Sequence, residues 1–220
     1  MPTPVLLLHG LARTGLSMAP MAWALRRAGF APQIVDYPSR RRAIADLVLE
    51  VAARVDALED GPVHFVTHSL GGVLVRALAA ERFDADAPLP TGSRAVMLAP
   101  PHGGSAVADL VAGWPPVRAV LGPALSELGT DGASVPLGLG PVRGLEAGVI
   151  AGDRAVLPFA RVLEGANDGL VSVESAFAPD GLADTLLVRA GHTLPMASPE
   201  IMRQTVHFLE HGRFDHATVT

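Results

Sequence analysis

The sequence predicts an α/β fold, a mostly parallel sheet of about six strands with helices on both faces. Two observations predict it. Short apolar runs alternate along the chain with longer segments whose apolar residues recur every three or four positions. The composition, 49% hydrophobic and 18% charged over 220 residues, provides a sizeable core for one domain spanning 1–220. A chain of this length buries about 70% of its unfolded surface.

Each element has its own signal. Val5-Leu-Leu-Leu8 reads as a buried strand ending at His9-Gly10. Leu16 to Ala28 places Met18, Met21, Ala22, Leu25 and Ala28 at helical spacing, and Gly29 stops it. Gln33 to Asp36 is a second strand. The stripe of Ile44, Leu47, Val48, Val51, Val55 and Leu58 predicts an amphipathic helix over Ala43–Leu58. A third strand, Val63–Thr67, leads into a helix over Leu70–Glu81, and Arg94–Ala99 is a fourth strand. From 100 to 144 the alternation lapses into a Gly- and Pro-rich yet apolar stretch. It resumes with strands over Glu146–Ala151 and Thr185–Ala190 and a closing helix over Pro199–His211.

Charge and composition exclude several functions. The 17 basic residues, all Arg, against 22 acidic ones give a net charge of −5, unsuited to binding nucleic acid. With no Cys there is no disulfide scaffold, thiolate metal site or Cys nucleophile. With no Lys there is no Schiff base and no phosphate-loop lysine. Val5 to Leu8 is too short an apolar run for a signal peptide, and the longest uncharged stretch, Ala95–Ala108, is broken by Pro and Gly. A cytoplasmic protein without stable membrane insertion is expected.

The sharpest chemical signal is Thr67-His-Ser-Leu-Gly-Gly72, where a strand stops, a helix starts and Ser69 occupies the turn between them. Such a turn lifts the hydroxyl above the sheet's carboxyl edge as a nucleophile, and Gly71 leaves room where strand and helix cross. Thr67 departs from the Gly usual two residues before the nucleophile. The bland alternative is a Ser that only caps a helix. The Leu70 N–H, at the helix start, is one candidate oxyanion donor. The Leu11 N–H, after the bend that Gly10 permits, is the other. A serine nucleophile needs a base and a carboxylate to orient it. Of eight His, His192 alone follows the last strand and precedes the last helix. Asp168, in Asn167-Asp-Gly169, supplies the acid in the order Ser, Asp, His; Asp153 is the competitor.

Together, His9-Gly-Leu11, Thr67-His-Ser-Leu-Gly-Gly72, Pro100-Pro-His-Gly-Gly-Ser105, Asn167-Asp-Gly-Leu-Val-Ser-Val-Glu-Ser175 and Gly191-His192 resemble the α/β-hydrolase superfamily, within it the bacterial lipase and esterase branch. The resemblance runs from residue 5 to about 213. It implies Ser69, Asp168 and His192 as nucleophile, acid and base, and Leu11 and Leu70 as backbone oxyanion donors. The implied activity is hydrolysis of small or lipid-like apolar acyl esters without a cofactor. Thioester or amide hydrolysis, acyl transfer, and a non-catalytic binding module are the alternatives. Secreted relatives often hold calcium through an Asp two residues after the catalytic His. That position is Leu194 here, so no metal is expected. The antiparallel strands that open larger members are expected to be absent.

The stretch at about 103–140, with Val107, Leu110, Val111, Trp114, Val117, Val120, Leu121, Leu125 and Leu128, reads as short helices forming a small cap over an apolar acyl pocket, or else as residues that only complete the core. His9, Gly10, His102 and Trp114 are further candidates for the pocket lining. His207-Phe-Leu-Glu-His211 fits a zinc-peptidase pattern but lacks a signalled third ligand, so a surface helix is expected. Arg40-Arg-Arg42 reads as a solvated helix end, and Gly138-Leu-Gly140 lacks the preceding strand that a dinucleotide loop requires.

Overall fold

The computed structural model describes residues 1–155, 161–193 and 195–218. Six strands, β1 (Pro4–Leu8), β2 (Ala31–Val35), β3 (His64–His68), β4 (Arg94–Leu98), β5 (Glu146–Gly152) and β6 (Asp184–Val188), form one sheet in the order β2-β1-β3-β4-β5-β6. Every pairing is parallel, with Val5 opposite His64, Phe65 opposite Ala95 and Met97 opposite Val149. The central strand β3 is buried along its whole length, as expected of a parallel sheet covered on both sides.

Alternation along the strands splits the core into two layers. Leu6, Leu8, Phe65, Met97 and Val149 face α2 (Ile44–Asp56) and α3 (Leu70–Asp84). Val5, Leu7, Val66, Leu98 and Ile150 face α1 (Ala19–Arg27) and, at the chain's end, α9 (Pro199–His211). Gly148 makes room for α9 on the sheet, since a Cβ there would lie 2.4 Å from the Phe208 ring.

Local chemistry sets the boundaries. The first helical pattern divides into a 3-10 turn (Gly15–Met18) and α1, with Pro20 in the first turn of α1, where its missing N–H costs nothing. The helix predicted over Leu70–Glu81 extends to Asp84. Helix α9 is capped by Ser198 and stopped by Gly212 at φ 72°. No helix among the described residues is long and apolar enough to cross a membrane.

The stretch at 103–140 folds into four short helices, α4 (Ala106–Ala112), α5 (Pro115–Leu121), α6 (Pro123–Ser126) and α7 (Val135–Gly138); α8 (Val173–Phe177) follows β5. Ala108, Leu125 and Leu128 belong to the core layer and also line the cleft, whereas Leu110, Trp114 and Val120 are exposed. Side chains tie this segment down. Asp109 accepts from the N–H and hydroxyl of Thr130, and Glu127 accepts from Ile44 N–H at 2.6 Å, capping α2.

Candidate active site

The chain goes one way from β1 to β2 and the other way from β3 onward, so the loops after β1 and β3 diverge and leave a crevice at their carboxyl ends. Ser69 stands there, between β3 and α3, with φ 50° and ψ −117°. A non-glycine residue at positive φ is held by its surroundings at a cost of about 1–3 kcal/mol. Here the constraints are visible. Ser69 N–H donates to Leu98 O at 2.9 Å, and Gly72 N–H donates to Ser69 O at 2.9 Å. A Cβ on Gly71 would lie 2.8 Å from Leu8 O, and one on Gly72 would lie 2.8 Å from Pro100 Cβ. The Leu70 N–H belongs to the first turn of α3, whose amides lack intrahelical acceptors.

Asp168, in the loop after β5, and His192, in the loop after β6, meet at the same carboxyl edge of the sheet. Asp168 Oδ1 accepts from Leu170 N–H at 3.0 Å and Val171 N–H at 2.8 Å, while Oδ2 pairs with His192 Nδ1 at 2.7 Å. The His192 N–H also donates to Asp168 O at 3.0 Å. Both side chains are buried, at 2% and 7% exposure, and with Nδ1 engaged, Nε2 is the ring nitrogen left for the cleft. Asp153, at the end of β5, is exposed. Ser69 and His192 line one cleft of about 440 Å³. No hydrogen bond joins them among the described residues.

The cleft is lined by Gly10, Leu11 and by apolar side chains of α4 to α6, notably Val107, Val111, Leu121 and Leu125. Three expected lining residues lie elsewhere. His9 is fully buried beneath the loop, stacked on Tyr37 with ring centroids 4.1 Å apart and engaged through Nδ1 with Gly10 O at 2.9 Å. His102 is buried against Met97 Sδ at 3.2 Å, and its carbonyl accepts from Arg76 at 3.2 Å. Trp114 precedes α5 and is 60% exposed. Motif neighbourhood suggested His9 and His102, and the apolar stretch at about 103–140 suggested Trp114; packing buries the first two and leaves the third exposed. The stacked rings of His207 and His211 share a helix face, but the described residues contain no cluster able to hold a metal. Leu194, on which the calcium expectation rested, lies outside the described residues.

One contact was not foreseen. His68 Nε2 hydrogen-bonds His192 O at 2.9 Å, and the two rings lie 4.9 Å apart. Burial, then the neighbouring His192, drives the His68 pKa well below its ordinary value, so the ring is neutral and Nε2–H is the donor. The strand carrying the Ser turn thus holds the loop carrying His192.

Other buried histidines make stability depend on pH. Burial lowers the pKa of His102 from 6.5 to about 3, and burial followed by the Arg94 charge lowers that of His64 from 6.5 to about 4. Between those values and 6.5 the unfolded chain binds more protons than the folded one. The stability that neutral burial preserves is therefore complete above about 6.5 and is lost as pH falls, by up to about 1.4 kcal/mol per unit for each ring. His102→Gln should shrink the loss between about pH 7 and 5 by about 2 kcal/mol in urea unfolding. An unchanged loss would mean that His102 charges freely in the folded state.

Six parallel strands in this order, with the strained Ser turn after β3, constitute an α/β-hydrolase fold. No family model matches the chain, and no curated protein matches it. Solved structures do. A metagenomic carboxyl esterase, MGS0156, superposes with a TM-score of 0.68 at 23% identity, over 86% of this chain and 64% of that one. Phospholipase PlaB from Legionella pneumophila gives 0.69 at 17% identity, over 94% and 62%. One of the metagenome-derived lipolytic enzymes LipS and LipT gives 0.67 at 15% identity, over 94% and 93%. This chain therefore spans somewhat under two thirds of the first two proteins, 64% and 62% of their lengths.

Proposed function

We propose that the protein is a serine hydrolase of carboxylic esters with apolar acyl groups. The reading rests above all on one arrangement: a serine held at positive φ shares an apolar-walled cleft with a histidine whose Nδ1 is bound to a buried carboxylate. The esterase, phospholipase and lipolytic neighbours agree with it in fold.

In this reading Ser69 Oγ attacks the ester carbonyl carbon as His192 Nε2 takes its proton. The negative oxygen of the tetrahedral intermediate accepts from the Leu11 and Leu70 N–H groups. Collapse breaks the carbon–oxygen bond, and His192 returns the proton to the departing alcohol. Water, deprotonated by the same nitrogen, then releases the acid and regenerates Ser69. Asp168 orients the ring and stabilises its charged form. The apolar side chains of α4 to α6 surround the acyl chain.

A substrate panel tests the choice of bond. p-Nitrophenyl esters of increasing acyl length should be hydrolysed with kcat/KM well above that for matched acyl-CoA thioesters or anilides. Faster thioester cleavage, or ester hydrolysis at the rate of buffer alone, would contradict the proposal.

A further inference from the structure

The cleft holds one permanently charged side chain among its described lining residues, and that side chain has no ion-pair partner among the described residues. Arg13 follows the oxyanion loop and reaches Thr193 O at 3.4 Å, a long hydrogen bond to the residue after His192. None of the ion pairs among the described residues involves Arg13, and no carboxylate lines the cleft there. The loop that carries Arg13 is built to a fixed shape. Arg13 N–H donates to Gly10 O at 3.2 Å, Ala12 N–H donates to Ser39 Oγ at 3.1 Å, and Ala12 sits at φ 58°, a conformation that ordinarily favours glycine. The charge is felt inside the site, where it is one of the influences lowering the pKa of His68.

Position decides which part of the substrate meets this charge. The acyl side of the cleft is lined by apolar cap residues. His192 must stand beside the leaving oxygen to protonate it, and Arg13 bonds to the residue next to His192. We infer that Arg13 is a specificity residue for an anionic group, a phosphate or carboxylate, carried on the alcohol portion of the ester. This rests on the esterase reading above. A planar guanidinium with free donors binds such groups in a bidentate fashion, more strongly than a neutral donor does.

The closing experiment separates binding from turnover. In Ser69→Ala, which cannot turn over, titration calorimetry compares monomeric 1-hexanoylglycerol with 1-hexanoylglycerol 3-phosphate. The phosphate should bind about 10- to 100-fold more tightly, less so as salt is raised. In the Ser69→Ala, Arg13→Gln double variant that ratio should fall to near one, and with Arg13→Lys it should be partly restored. Equal binding of the two esters, or a ratio that survives Arg13→Gln, overturns the inference. Turnover of the same pair by the unmodified protein reports on the esterase reading separately. If neither ester is hydrolysed, that reading fails even where the binding ratio stands. A long-chain monoacylglycerol phosphate in neutral vesicles then separates the two sources of the anion, tighter binding pointing to a lipid headgroup and weaker binding to a soluble ester.

Discussion

Ser69→Ala should leave the fold intact and abolish ester hydrolysis, lowering kcat by about 10⁴- to 10⁶-fold. The fold should survive because the Ser69 side chain has no hydrogen bond among the described contacts, and the constraints on the turn are backbone contacts and neighbouring glycines. Alanine tolerates φ 50° about as well as serine does. What disappears is the oxygen that forms the acyl bond. Circular dichroism and urea unfolding measure the first half of the expectation, and initial rates on a p-nitrophenyl ester the second. A variant that folds and keeps wild-type rates would place the nucleophile elsewhere.

Asp168→Asn comes next in size. The amide can still accept from Leu170 and Val171 N–H, but the atom facing His192 Nδ1 no longer carries charge. The ring is then free to adopt the wrong tautomer and lacks compensation when protonated. A fall in kcat of about 10³- to 10⁴-fold is expected. Asp153→Asn, on an exposed residue at the end of β5, should change kcat by less than about twofold, in line with other surface substitutions. The reverse pattern would make Asp153 the orienting acid. The contrast is informative because both aspartates follow β5 in the chain, and only the Asn167-Asp-Gly169 turn brings a carboxylate to 2.7 Å of His192.

Much of the fold was legible because parallel strands and amphipathic helices write their periods into the sequence. The strand Val5–Leu8, the helix Pro199–His211 and the strand-to-helix turn at Ser69 could be read from apolar spacing and caps alone. Helix starts shifted where backbone chemistry overrode periodicity, as at Pro20. The Asp168–His192 pair was approached only through chain order and motif likeness, since 24 residues separate the partners and no periodicity encodes their meeting.

Side-chain direction was the least legible property. His9 and His102 neighbour motifs and Trp114 belongs to the apolar stretch at 103–140, yet none of them lines the cleft: the two histidines are buried in loop packing and Trp114 is exposed. Arg13 was passed over because a lone arginine in a loop carries no pattern. Its significance comes from Thr193, which is 180 residues away in the chain. The His68 contact with His192 O is hidden for the same reason.

The central claim is that Ser69 is an activated nucleophile. The most direct test is labelling with a fluorophosphonate, followed by intact mass measurement and peptide mapping. One phosphonyl adduct should form on Ser69 and should vanish in Ser69→Ala. It should form far more slowly in Asp168→Asn. An adduct on another residue, or none under conditions that label a known serine hydrolase, would contradict the account.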